Sequence, residues 1–242
     1  MSSAPDLTSR VLGRQRLVVA AGVTLLASLA WLFVIDGAGV GAPMRMAEPP
    51  PFAALVLMWW VMMAAMMLPS ATPAILLYAR VRQMRNGDGG ISQTWVFVAG
   101  YAAIWLLFSL AAAGLQRLVT GGSMALDHPV AEAALLIAAG LYQLSPLKSA
   151  CLGQCRAPAQ FISAHWRAGT AGAVRLGVLH GGYCVGCCWM LMALLFVGGV
   201  MNLLWIVVLT ALVTFEKLVN GGQWLARAAG LALITGGLVL LA

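Results

Sequence analysis

Long apolar runs separated by short polar punctuation dominate the chain, a pattern that predicts membrane-spanning helices rather than a soluble core. Seven spans are expected, at about residues 17–35, 53–79, 94–116, 130–147, 173–197, 201–219 and 224–242, the fourth and the last two being the shortest. Breaks fall at Pro49, Pro50 and Pro51, between Gly121 and Pro129, and at Gly198 and Gly199. The first run follows Arg10, Arg14 and Arg16 and continues to Asp36. That exceeds the roughly 7–15 residues of a cleavable signal core, so it reads as a retained helix. The expected fold is all-α: a polytopic transmembrane helix bundle over residues 17–242, preceded by a cytoplasmic tail of residues 1–16. Residues 148–172 form the sizeable polar insertion and read as a cytoplasmic loop.

Composition narrows the class. Hydrophobic residues make up 62% of the chain and charged residues 9%, against about 25% charged in soluble domains. The net charge of +7 would mark an anion-binding surface on a soluble protein. Here it reads as topology. With the N-terminus inside, Arg10, Arg14, Arg16, Arg80, Arg82, Arg85, Lys148, Arg156, Arg167, Arg175, Lys217 and Arg227 all fall on the cytoplasmic side, leaving Arg45 and Arg117 outside. The implied partner of this surface is the lipid bilayer and not nucleic acid. If the last two short spans formed a re-entrant pair, the C-terminus would return to the cytoplasm. Trp59, Trp60, Trp95, Trp205 and Trp224 lie near expected helix ends and suit an aromatic belt.

Candidate chemistry is densest in HGGYCVGCCWMLM, residues 180–192. On a helix His180, Cys184 and Cys187 lie within about 60° of one another, and Cys188 widens the arc to about 100°. Four potential metal ligands therefore share a face, although about 12 Å of helix separates the first from the last, too far for one ion on an ideal helix. Packing is the competing reading, since cysteine is a common buried small hydrophobe. A histidine inside a membrane segment points towards function.

A second string, MWWVMMAAMMLPS, carries Met62, Met63 and Met66, whose neutral thioethers suit Cu(I) but also fill gaps in apolar cores. The second and fifth spans run in opposite directions, which places these methionines level with the cysteines to within about a turn. Pro69 should kink the second helix just beyond them. A third string, CLGQCRAP, places Cys151 and Cys155 four residues apart, with His165 following. The pair suits a cytoplasmic ligand or redox dithiol, or a structural loop. Glu216 and Lys217, ending the sixth span, are expected to form an interfacial ion pair.

These three strings, with YQLSPLKSACLGQCRAP as the fuller form of the third and FEK at residues 215–217, resemble a bacterial family of predicted metal-binding integral membrane proteins of uncharacterised function, over about residues 50–220. The resemblance implies a multi-pass protein of the bacterial inner membrane and makes the three strings parts of one unit. The expected function is binding of a soft transition metal, foremost copper as Cu(I) and less suitably zinc, for transport or delivery to another protein. Cys184, Cys187, Cys188, His180, Met62, Met63 and Met66 would be the ligands, with Cys151 and Cys155 exchanging metal at the cytoplasmic face. A metal-donor or metal-acceptor protein and an oligomer or membrane complex are the implied partners. The alternatives are a membrane thiol oxidoreductase passing electrons between cysteine pairs and a non-catalytic assembly subunit. No nucleotide-binding loop is present in the sequence, so ATP-driven pumping by this chain is not expected.

Overall fold

The computed structural model describes residues 4–37, 50–86, 90–120, 125–126, 128–219 and 221–242. Among them the regular structure is entirely helical: α1 (Ala4–Ile35), α2 (Phe52–Asn86), α3 (Gly90–Thr120), α4 (Pro129–Leu144), α5 (Pro146–Arg156), α6 (Pro158–His165), α7 (Gly169–Ala193), α8 (Leu195–Gly198), α9 (Leu203–Leu218) and α10 (Gly222–Leu241). Arg45, one of the two cations expected outside, lies beyond the described residues.

Five helices are long and apolar enough to cross a membrane: Arg16–Ile35, Phe52–Arg85, Ile91–Val119, Gly169–Gly198 and Gly222–Leu241. The other two expected spans differ in form. The fourth ends at Leu144, where the chain bends by 62° into α5, and the pair is apolar enough to cross when taken together. Pro146 at the first position of α5 and Ser145, whose hydroxyl accepts from the Lys148 amide, explain the break. The sixth is α9, whose 16 residues reach about 24 Å, short of the roughly 30 Å apolar layer. The expected loop at 148–172 is instead built largely of α5 and α6, and α5 packs along α7. Part of the expected N-terminal tail is likewise helical, since α1 starts at Ala4.

Large apolar side chains face outward as well as inward, among them Leu25 and Leu29 on α1, Leu204 and Val208 on α9, and Val239 on α10. With so little polar surface to drive burial, close backbone approach does much of the packing. Gly177 of α7 lies against the Phe97 carbonyl of α3, and a Cβ there would come within 2.1 Å of that oxygen. Gly181 lies one turn further along, against Ile104, so α3 and α7 run parallel. Gly140 of α4 meets Gly230 of α10, and Gly237 meets the Ala133 carbonyl, so that pair is antiparallel.

The helix α2 touches α1, α3, α6 and α9 and runs without a break through Pro69 and Pro73. Proline removes the donors to the Ala65 and Pro69 carbonyls there, and next to them the Ser70 and Thr72 hydroxyls donate to the carbonyls of Met67 (3.0 Å) and Leu68 (2.9 Å). Trp59 is not a belt residue. Its ring is wholly buried beside Phe196, and its indole N–H donates to Gln116 Oε1 at 2.7 Å. Trp224, 74% exposed, does occupy the outer surface.

Gly177→Ala should therefore destabilise the bundle by about 1–3 kcal/mol through overpacking. Gly114→Ala, in open space on α3, should be neutral or stabilising by up to about 1 kcal/mol. Thermal melts of the two variants in detergent measure the contrast.

Candidate metal centre

The local rules of α7 aim its cysteines. Residues at i, i+3 and i+4 share a helix face, which puts Cys184, Cys187 and Cys188 together on the buried side, each 1% exposed. Two of the thiols fold back on their own helix: Cys187 Sγ donates to the Cys184 carbonyl at 3.1 Å, and Cys188 Sγ donates to the same oxygen at 2.9 Å. Both bonds lean the Cys187 and Cys188 thiols back towards the turn that carries Cys184.

Four other elements complete the cluster. From α5, which packs along α7, half-buried Cys155 lies beside Cys184 and Cys187. From α2, Met67 Sδ lies 3.8 Å from Cys188 Sγ. From α9, Lys217 Nζ stands 3.0 Å from Cys184 Sγ, 3.3 Å from Ser70 Oγ and 3.9 Å from Met67 Sδ. The Tyr101 hydroxyl of α3 adds a 3.1 Å contact to Cys184 Sγ.

The residues expected from sequence are distributed around this centre. Cys151 is half-buried, its sulfur against Gly186, where a Cβ would approach it to 2.9 Å. His180 is buried one turn before Cys184, its ring among those of Phe97, Tyr101 and Phe161, and its Nδ1 has no hydrogen-bond partner. Met62, Met63 and Met66 are all wholly buried in the core. The methionine that reaches the thiols is Met67, one residue further on, with Met63 one turn away on the same stripe. His165 is hydrogen-bonded through Nδ1 to the Phe161 carbonyl at 3.0 Å.

The expected Glu216–Lys217 surface pair is absent, and both side chains are buried. They leave α9 towards different partners. Lys217 enters the sulfur cluster, while Glu216 Oε2 pairs with Lys148 Nζ of α5 at 2.6 Å, with side chains 2% and 1% exposed. Gln143 of α4 bridges the pair, donating to Glu216 Oε1 at 2.8 Å and accepting from Lys148. Burial explains the divergence. Neither cation can remain solvated in this interior, so each must reach its own acceptors.

The donor set is chemically soft: thiols, a thioether and a spare imidazole nitrogen, the combination that selects Cu(I) over hard cations. Its arrangement is that of thiols hydrogen-bonded to a backbone carbonyl, a tyrosine hydroxyl and an amine. Among the described residues, no three Cys, His, Asp or Glu side chains surround one metal-sized point. Binding an ion here would exchange those hydrogen bonds for metal–sulfur bonds.

Comparison with known proteins adds a family. The profile of the family described as PpoB2, copper chaperone, matches residues 56–240. The chain belongs to this copper chaperone family. The match takes in α4, α5, α7, α9 and nearly all of α2 and α10, hence every residue of the sulfur cluster. Among curated proteins and among solved structures, none matches the chain at a significant level.

Exposure grades the thiols of this chaperone-family chain, and thiol reactivity follows access. Under reducing, non-denaturing conditions, N-ethylmaleimide should modify Cys151 at least about tenfold faster than Cys184, Cys187 or Cys188. Peptide mapping over a time course reads the order.

Proposed function

We propose that this copper chaperone family member is a multi-pass membrane protein that holds Cu(I) on the buried sulfur cluster and hands it to a partner protein. The observation that carries the reading is the packing of α5 along α7, which sets the Cys151 sulfur against Gly186 and Cys155 beside Cys184 and Cys187. Two cysteine strings about thirty residues apart in sequence converge on one soft-donor site, in a chain whose family handles copper. Cys184, Cys187, Cys188 and Cys155 supply the sulfur, Met67 and then Met63 supply thioethers, and His180 supplies the free nitrogen. Met62 and Met66 line the same helix in reserve, and half-buried Cys151 is the point of exchange with a donor or acceptor. Zinc is the poorer cargo because it makes little use of thioethers.

Seven crossings with the N-terminus in the cytoplasm of a bacterial inner membrane fit the helix directions. α3 and α7, the third and fifth crossings in that scheme, run parallel, and α4 and α10, the fourth and seventh, run antiparallel. Both relations are what strict alternation across a bilayer requires. The outward-facing leucines and valines then meet lipid.

Metal analysis of the detergent-purified, reduced protein tests the proposal. The expected result is stoichiometric Cu(I), lost in Cys184→Ser/Cys187→Ser. Met67→Leu should weaken retention about tenfold in a chelator competition, whereas Met58→Leu, half a turn round α2 from Met67, should leave it unchanged. Stoichiometric zinc without copper, or a metal-free protein cycling a Cys155 disulfide, would overturn it.

A further inference from the structure

The buried ion pair between Lys148 and Glu216 has no part in binding the cargo as proposed, yet it sits beside the cluster on the same two elements. On α5 the residues turned inward are Lys148, Cys151, Leu152 and Cys155, at i, i+3, i+4 and i+7. They form one stripe along a helix of only 11 residues. Lys148 and Cys155 are thus rigidly coupled: rotation of α5 that freed one would swing the other off its partners. At the other end of the linkage, Glu216 adjoins Lys217, whose amine contacts Cys184. A single dipeptide of α9 therefore grips α5 with one side chain and the α7 thiol with the next.

We infer that Lys148 and Glu216 are positioning residues for the sulfur cluster, their ion pair fixing the rotation of α5 that turns Cys155 onto Cys184 and Cys187. Besides the ion pair, Leu152 in the core and Cys151 against Gly186 turn α5 inward, contacts that lack a directional bond. The outer side of α5 carries Pro146, Leu147, Ser149, Ala150 and Gly153, with open space at Gly153. A second polar tie is Arg156, which donates to the Val219 carbonyl just past the end of α9 at 3.0 Å on the exposed side. The 62° bend at Ser145 separates α5 from the direction of α4, so α4 does not dictate its roll. A buried ion pair adds little net stability compared with apolar side chains of similar size, but it is directional, and direction is what a ligand-bearing helix needs.

The inference rests on Cys155 being part of the site, and its test is independent of what the site binds. In the full chain with every cysteine except Cys155 and Cys187 replaced by serine, dibromobimane becomes fluorescent when it bridges the two remaining thiols. Glu216→Gln should lower the bridging yield at least about fivefold, and the charge reversal K148E/E216K should restore at least about half of it. The paired apolar change K148M/E216M guards against simple unfolding, because apolar replacement of a buried pair commonly preserves stability. It should melt within a few degrees of the parent yet bridge as poorly as Glu216→Gln. Undiminished bridging in Glu216→Gln, or in a folded K148M/E216M protein, would overturn the inference. So would a folded charge-reversed protein that fails to regain it. If bridging behaves as expected while the unmodified protein binds no copper, the cargo is wrong and the positioning role stands.

Discussion

Two lysines in a nearly uncharged interior set the terms for everything packed around them. Lys148 and Lys217 are buried where a lone ammonium is costly, so the fold must bring acceptors to each. For Lys148 the solution is Glu216 with Gln143 as bridge, which ties α4, α5 and α9 into one unit. For Lys217 it is Cys184, Ser70 and Met67, which ties α9 to α7 and α2. The sulfur cluster lies where these demands meet.

The cluster is correspondingly a product of tertiary structure. No single helix could assemble it: α7 supplies three thiols, α5 a fourth, α2 a thioether and α9 the amine. Glycine makes the convergence possible. Gly186 leaves room for the Cys151 sulfur against α7, and Gly177 and Gly181 let α3 lie close enough to bring Tyr101 onto Cys184. The softness of the donors and the absence of carboxylates among them account for the agreement between the site's chemistry and a copper chaperone family.

What could be read from sequence was whatever obeys a local period or a bulk property. Helical periodicity placed His180, Cys184, Cys187 and Cys188 on one face, and apolar run length located the long helices. Three features escaped because they depend on contacts between elements. Met67 stands in the methionine string, but nothing in a single helix says which side of it faces the cysteines. Lys148 and Lys217 were counted as cytoplasmic charges by the loop rule, which treats every cation near a span end as solvated. Residues 148–172 read as a loop because polarity and short length hide two helices that bury only a narrow stripe, including Lys148, Leu152, Phe161 and Ile162. The lysine, the cysteines and the leucine at 148, 151, 152 and 155 already formed an inward stripe, and that spacing was the available signal.

The glycines between α4 and α10 carry a consequence for how the bundle is indexed. Ala133 and Gly140 are seven residues apart, as are Gly230 and Gly237, and in antiparallel contact each helix acts as a ruler with matching marks. Sliding α10 by one turn in either direction would bring Leu233 or Ile234 into one of the two close approaches. The axial position of α10 against α4 is therefore set at two points by the want of a side chain.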